Sequence, residues 1–385
     1  MKRILYFTDA PYFGGAEKYL ELLIAALPKD RFEPHVLTVS GARLGDFPKR
    51  LAGSGAITHE MKLNGPGSAS GYVEFAKIVR KVKPQLLHVN LAGTYDALAS
   101  LVAPVSWLSG CRCVVTTEHL AMVEGTWKRR CAKRLGGFFI KAVISISQSN
   151  VEYLNRGNNI PLSRIVVIHN GVNIADLDRA TPSQTRAKLG LKDSTFIFAI
   201  VGSLVERKGH AYLLDALARL RLSGGPESAL LIVGEGEEKD ALLRKCSDLG
   251  LSGSVFFLGH RDDVQGIMLD MDCLVVPSTM EGMPFVILEA MVASKSVIAS
   301  KIYGIPEVIL EGESGLLVPP RDVESLCAAL SRLASSPGLS REMGSAGRRR
   351  AETHFSVERM AGEVEHVYEA VLSGSGLSGK RSPTA

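Results

Sequence analysis

Short apolar runs alternate with amphipathic stretches along the whole chain. Ile4–Phe7, His35–Val39, Leu86–Val89, Cys113–Thr117 and Val143–Ser147 read as strands, separated by helical patterns such as Ala16–Leu27 and Gly71–Lys81. The second half repeats the plan. Phe196–Gly202, Ala229–Val233, Val255–Leu258, Cys273–Val276 and Val297–Ser300 read as strands, with helices near 208–222, 237–249, 284–293 and 322–334. Such alternation predicts parallel sheets covered by helices on both faces. The polar, turn-rich segment Asn170–Thr185 reads as a junction. The expected fold class is therefore α/β, with two doubly wound Rossmann-like domains facing each other across a cleft. Ligands then bind at the carboxyl ends of the strands. The expected domains are 1–175 and 176–355. A last helix over 356–372 follows the polar stretch Arg348–Thr353, and a Gly/Ser-rich disordered tail covers 373–385.

Composition adds limits. The 385 residues, 46% hydrophobic and 22% charged, suit two core-bearing domains. No run approaches the roughly 18 apolar residues of a membrane span. The first residues, Met1 to Asp9, read as a strand and not as a signal peptide. The six cysteines lack metal-site spacing and read as reduced thiols of a cytoplasmic protein. The net charge of +5 hides an asymmetry: residues 1–175 carry 22 basic and 12 acidic groups, or +10, leaving −5 for the rest. The segment Trp127–Arg134 is strongly basic, and on a helix residues 130, 133 and 134 share a face. It is either a contact for an anionic membrane surface or a solvated charged face. Nucleic acid is not expected, because aromatic and basic residues do not interleave.

Candidate chemistry gathers in loops at strand exits. After the apolar strand Cys273–Val276, a loop carries Glu281 and Gly282, and Pro284 opens a helix that places Glu289 about two turns in. The N–H groups of that first turn favour a phosphate or another electron-rich oxygen. Gly202 follows the first strand of the second half, and Arg207-Lys208-Gly209 follows it before a helix. A guanidinium fork and an ammonium there suit a diphosphate. Gly259-His260-Arg261-Asp262-Asp263-Val264 is another strand exit, placed to meet a base through backbone groups. Gly234-Glu235-Gly236 lacks the third glycine of a dinucleotide fingerprint, and its acidic neighbours would repel a pyrophosphate. Gly14-Gly15-Ala16-Glu17 is either a plain turn or a helix start that admits an anion. His119 ends a strand and is either structural or part of a site. Asp270 and Asp272 lie at the wrong end of their strand for a site and read as a solvated turn.

Together these motifs resemble family 4 of the retaining glycosyltransferases, of GT-B fold and bacterial surface-polysaccharide type. The Glu-x7-Glu pair Glu281 and Glu289 is the most specific element. Arg207-Lys208-Gly209, the Gly-Val after Asn170, and Gly304-x-Pro306-Glu307-Val308 agree with it. The chain departs from the family pattern at Ser294-Lys295-Ser296, where Gly-x-Pro is usual. It departs also at Met283, for a commoner aromatic, and at Tyr303, for the first of two usual glycines.

The resemblance implies a nucleotide-sugar donor, UDP-linked by family habit, held by the second domain. Arg207 and Lys208 would bind the diphosphate, Glu281 the sugar hydroxyls and Glu289 the ribose. The backbone of Met283, Pro284, Phe285 and Val286 would touch sugar and phosphate, Gly15 the phosphate, and His119 the anomeric carbon. The last helix would cross back onto the first domain. No cofactor and no metal are expected beyond the co-substrate. The basic first half and the Trp127–Arg134 patch suggest a glycan or lipid-linked acceptor at the inner face of the membrane. An epimerase or hydrolase of nucleotide sugars is the alternative, and a two-lobed binding protein without chemistry a third reading.

Overall fold

The computed structural model describes residues 1–62, 69–91, 99–120 and 127–377, without the side chains of 99, 100, 128–130 and 132. The chain forms two compact units. One comprises Met1–Gly171 together with the chain from Val357 onward, and the other is Val172–Ser356.

The first unit is built on seven strands: β1 (Lys2–Phe7), β2 (Phe32–Val39), β3 (Ile57–Met61), β4 (Leu86–Leu91), β5 (Val114–Glu118), β6 (Ala142–Ser145) and β7 (Ile165–Val167). They form one parallel sheet in the order β3-β2-β1-β4-β5-β6-β7. Residues of β1 and β4 such as Leu5, Phe7, Leu87 and Val89 are buried because helices cover both faces of a parallel sheet. Phe75 and Val79 of the helix Ala69–Val82 pack with them. The polar edge strand β3 and the three-residue β7 lie outside the expected pattern. Ile57 of β3 is 47% exposed, so apolar patterning had little to mark there.

The second unit repeats the plan with β8 (Phe196–Val201), β9 (Ser228–Val233), β10 (Val255–Gly259), β11 (Cys273–Val276), β12 (Ser296–Ser300) and β13 (Leu316–Val318). The order is β10-β9-β8-β11-β12-β13, again all parallel. Each sheet therefore has a point where the strand order reverses, between β1 and β4 and between β8 and β11. That is where a doubly wound sheet opens a crevice for ligands.

One expectation needs correction, and two further segments gain a structural account. The polar stretch 348–353 is the end of an 18-residue helix, Pro337–His354. Its arginines serve as clamps: Arg348 donates to the carbonyl of Val292 at 2.6 Å, and Arg350 to those of Val308 and Glu307 at 2.8 and 2.9 Å. Asp270 and Asp272 are structural rather than solvated. Asp270 accepts from Ser183 Oγ and from the amide of Thr185, both at 2.6 Å, and Asp272 accepts from the amide of Ile197 at 2.8 Å. The segment read as a junction is thereby tied into the second unit. Finally, Ser294 and Tyr303 hold left-handed backbone, φ +58° and +42°, where the family pattern has glycine. Left-handed backbone costs a residue with a Cβ about 1–2 kcal/mol at each position.

The last helix, Val357–Ser373, belongs to the first unit. Tyr368 is fully buried there, its hydroxyl bonded to His88 Nδ1 on β4, and Arg31 pairs with Glu365 and Glu369. Of the expected tail, Ser373 is the final helical residue, and 378–385 lie outside the described residues.

Candidate active site

In the second unit the site grows from the reversal between β8 and β11. The chain leaves β8 at Gly202 and makes a short 3-10 turn, Glu206–Lys208. Gly209 follows with φ +75°, and a Cβ there would stand 2.1 Å from the carbonyl oxygen of Pro277. Only glycine lets this turn lie directly on the loop that leaves β11. Hydrogen bonds hold the loops together: Thr279 donates to the Arg207 carbonyl through its N–H at 2.8 Å and its Oγ1 at 3.3 Å, and Arg207 Nη1 donates to the Met280 carbonyl at 3.4 Å.

The side chains converge on Glu281. Lys208 Nζ lies 2.5 Å from its Oε1, and Arg207 Nη1 lies 3.9 Å from Oε2. Ser278 Oγ donates to Oε1 at 2.9 Å. Glu281 is 7% exposed. A carboxylate so buried is tolerable only when paired and hydrogen-bonded, and here two cations and a hydroxyl do so. The Lys208 ammonium has three N–H donors and gives one to Glu281. Arg207 keeps 44% side-chain exposure. The cluster thus presents fixed positive charge at a strand end. The sequence reading did not single out Ser278; its position three residues before Glu281 was the available signal.

The helix after the loop is Phe285–Val292. Pro284 is its N-cap rather than its first helical residue, with φ −70° and ψ 127°. Glu289 is therefore the fifth helical residue, little more than one turn in and not two. It is buried at 8% exposure, as are Met283 and Phe285, while Gly282, Pro284 and Val286 are half-buried.

The neighbouring exits differ. A Cβ on Gly234 would lie 2.0 Å from the Gly202 carbonyl oxygen, and one on Gly236 would lie 2.3 Å from that of Leu204. These glycines serve backbone packing between two strand exits, which explains a glycine pair without a dinucleotide loop. Gly259 (φ +66°) ends β10, the edge strand. His260 is exposed, Arg261 pairs with Asp263 through two hydrogen bonds of 2.7 and 2.8 Å, and Val264 starts the helix Val264–Asp270. Among the described residues, no hydrogen bond or ion pair joins this loop to the Lys208–Glu281 cluster.

In the first unit the corresponding reversal lies between β1 and β4. Gly14 caps the helix Gly15–Ala26, its N–H donating to Glu17 Oε2 at 3.1 Å, while Thr8 Oγ1 holds the other oxygen at 2.9 Å. Gly15 is exposed at the first helical position. His119 follows β5, with its amide bonded to the Leu91 carbonyl at 3.1 Å. Its ring meets Tyr19 edge-on at 4.9 Å, and its Nε2 lies 2.8 Å from Asn90 Oδ1. Burial lowers its pKa from 6.5 to about 3, so the imidazole is neutral. Asn90 escaped the sequence reading, because nothing in a strand-end asparagine announces a histidine 29 residues later.

The basic segment also changes. Trp127–Gly137 is a helix, but Lys133 is buried and its ammonium contacts both oxygens of Glu118, at 2.8 and 2.9 Å. It faces inward and does not share a free basic face with Arg134, which is exposed. The side chain of Arg130 lies outside the described residues. Among the described residues, no group of three His, Cys, Asp or Glu side chains could hold a metal ion.

Comparison with known proteins places both halves. Residues 13–176 match the family model described as Glycosyltransferase Family 4, and residues 183–350 the model described as Glycosyl transferases group 1. The chain is 26% identical, over 95% of its length and 96% of the relative's, to the UDP-Gal:alpha-D-GlcNAc-diphosphoundecaprenol alpha-1,3-galactosyltransferase of Escherichia coli. It is 32% identical to the lipopolysaccharide core biosynthesis glycosyltransferase LpsE of Rhizobium meliloti, over 45% of this chain and about half (49%) of the relative. Among solved structures, HepE of Anabaena in complex with UDP-glucose superposes with a TM-score of 0.82 at 24% identity, covering 96% of this chain and 100% of that one. At that identity the likeness is one of fold.

Proposed function

Given that the chain belongs to the GT-B glycosyltransferases of the family-4 kind, we propose that it moves a hexosyl group from a UDP-sugar to a glycan acceptor with retention at the anomeric carbon. The observation that carries this is the Arg207–Lys208–Glu281 cluster at the reversal of the second sheet. As the bond from the anomeric carbon to the diphosphate oxygen breaks, negative charge grows on the leaving group. Arg207, Lys208 and the N-terminal turn of Phe285–Val292 meet that charge in place. The acceptor oxygen bonds to the anomeric carbon on the same face, and its proton passes to the departing phosphate oxygen. Glu281 holds Lys208 and takes hydrogen bonds from sugar hydroxyls, and Glu289 takes them from the ribose. Protein cations thus do what a divalent metal does in other phosphate sites.

The test incubates the purified protein with UDP-sugars in the presence of a chelator, with and without a lipid-diphosphate glycan. The sugar should appear on the acceptor with its anomeric configuration unchanged. Donor conversion at a comparable rate without acceptor would instead establish the epimerase or hydrolase.

The name of the Escherichia coli relative specifies a glycan carried on a lipid diphosphate, and an acceptor of that class fits the +10 charge of residues 1–175. Among the described residues no helix is long and apolar enough to cross a membrane, so such an acceptor would be met at the surface. With Lys133 turned inward, the contact falls to the exposed Trp127, Leu135, Phe138 and Leu108, with Arg134 beside them. This combination suits an anionic membrane interface, here on the cytoplasmic side. The protein should sediment with anionic but not neutral liposomes, and Leu135→Ser with Phe138→Ser should abolish that. Sedimentation unchanged by the double substitution, or absent in the unaltered protein, would remove this surface from the account.

A further inference from the structure

We propose that Asn90 is a positioning residue that fixes His119 as its Nε2–H tautomer, so that the ring can serve a ligand only as a hydrogen-bond acceptor, through Nδ1. The argument starts from the amide. Asn90 Nδ2 donates to the carbonyl oxygen of Ala16, in the first turn of the helix Gly15–Ala26, at 2.9 Å. A carbonyl can only accept, so this contact settles which end of the Asn90 amide is nitrogen. The opposite end, Oδ1, can only accept as well, and it lies 2.8 Å from His119 Nε2. The proton of a neutral ring must then sit on Nε2.

Nδ1 is consequently a lone-pair nitrogen. It makes no hydrogen bond among the described residues, and His119 as a whole is 7% exposed. Tyr19 holds the ring edge-on and leaves little freedom to flip. Asn90 itself is 1% exposed and spans two strand exits and a helix start. It transmits the geometry of the Gly14-Gly15 turn to the imidazole.

Titratable groups lie near His119 among the described residues. Tyr19 is kept protonated by burial, His88 is lowered to about 3 by burial, and Glu118 on β5 is paired with Lys133. None supplies a proton to His119 near neutrality. A ring of this kind can accept from a hydroxyl group and cannot act as a general acid. The inference's activity tests rest on the proposed sugar transfer, and the experiment separates the two.

Heteronuclear NMR of the intact protein, labelled at histidine nitrogen, reads the tautomer directly. His119 should show one protonated and one unprotonated nitrogen, with the proton on Nε2, unchanged between about pH 5 and pH 8. A proton on Nδ1, or a doubly protonated ring in that range, overturns the proposal. In activity, Asn90→Leu should lower kcat about 10-fold to 100-fold by misplacing the ring, with KM for the donor little changed and mixed tautomers in the spectrum. Asn90→Asp keeps an acceptor for Nε2–H but adds a charge that raises the His119 pKa. Its activity should fall with acidity as Nδ1 becomes protonated, while that of the unaltered protein should show no such step. A folded Asn90→Leu protein with unaltered kcat overturns the positioning role. Normal turnover by His119→Ala sinks any part for His119 in the reaction, whatever the tautomer proves to be.

Discussion

Replacing Arg207 and Lys208 together by alanine lowers kcat/KM by about 10⁴-fold or more, because each preorganised donor to a leaving group is worth about 10²–10³ in rate. Steady-state assays with saturating acceptor measure it. The two substitutions are not equivalent. Arg207 is the more exposed and only 3.9 Å from Glu281 at its nearest, so Arg207→Ala removes charge from the site with little effect on the fold. Lys208 is 2.5 Å from a Glu281 that is almost fully buried. Lys208→Ala leaves that carboxylate with Ser278 as its close partner, and losing one member of a buried pair costs about 3–5 kcal/mol. Lys208→Met with Glu281→Gln should recover most of that stability and none of the rate. Near-normal turnover by the folded double-alanine protein would refute the leaving-group role. Full recovery of rate in the Met/Gln pair would refute it equally.

Much of this architecture was legible in the chain because buried parallel strands are nearly all apolar. The ten strands expected from apolar runs are all present, within one to three residues at their ends. Three others were not legible for physical reasons. β3 is a polar edge strand, and β7 and β13 are three residues each, too short to leave a pattern. The helix Ala99–Leu108 carries Pro104 inside it, and the helix Pro337–His354 is polar over much of its length, so neither shows the usual signal. In the site, Glu281, Arg207 and Lys208 were readable because strand-exit loops carry both their chemistry and their glycines. The structure brings those three together. What spacing cannot show is which side of a helix faces inward, and so Lys133 was read as surface charge. Nor can it show partners distant in sequence, as Asn90 is to His119 and Ser183 to Asp270.

Stability falls steeply between about pH 6.5 and pH 5, a window that belongs to buried histidines rather than to carboxylates. Burial lowers the pKa of His88 and His119 in the first unit from 6.5 to about 3, and that of His210 in the second from 6.5 to about 4. His88 has both ring nitrogens engaged by neutral hydroxyls, of Tyr368 and Thr117, so no carboxylate among these partners offsets a charge on the buried ring. His210 has neither ring nitrogen bonded, and neighbouring Lys208 opposes a second charge there. The sign follows from proton uptake. Below 6.5 the unfolded chain binds protons at all three rings, while the folded protein binds none until far lower pH. Stability is therefore complete above 6.5 and lost as pH falls, by about 1.4 kcal/mol per pH unit for each histidine. At pH 5 the first unit loses about 4 kcal/mol through His88 and His119, and the second about 2 kcal/mol through His210. Against a typical domain stability of about 5–15 kcal/mol, the first unit should unfold first. Both tryptophans, Trp107 and Trp127, lie in that unit, so fluorescence-detected urea unfolding follows it selectively. The urea midpoint should drop sharply from pH 7.5 to pH 5, and His88→Asn should remove about half of that dependence. A midpoint unchanged across this range would mean that these rings are protonated or solvated in the folded protein, and would overturn the neutral His119 on which its acceptor role depends.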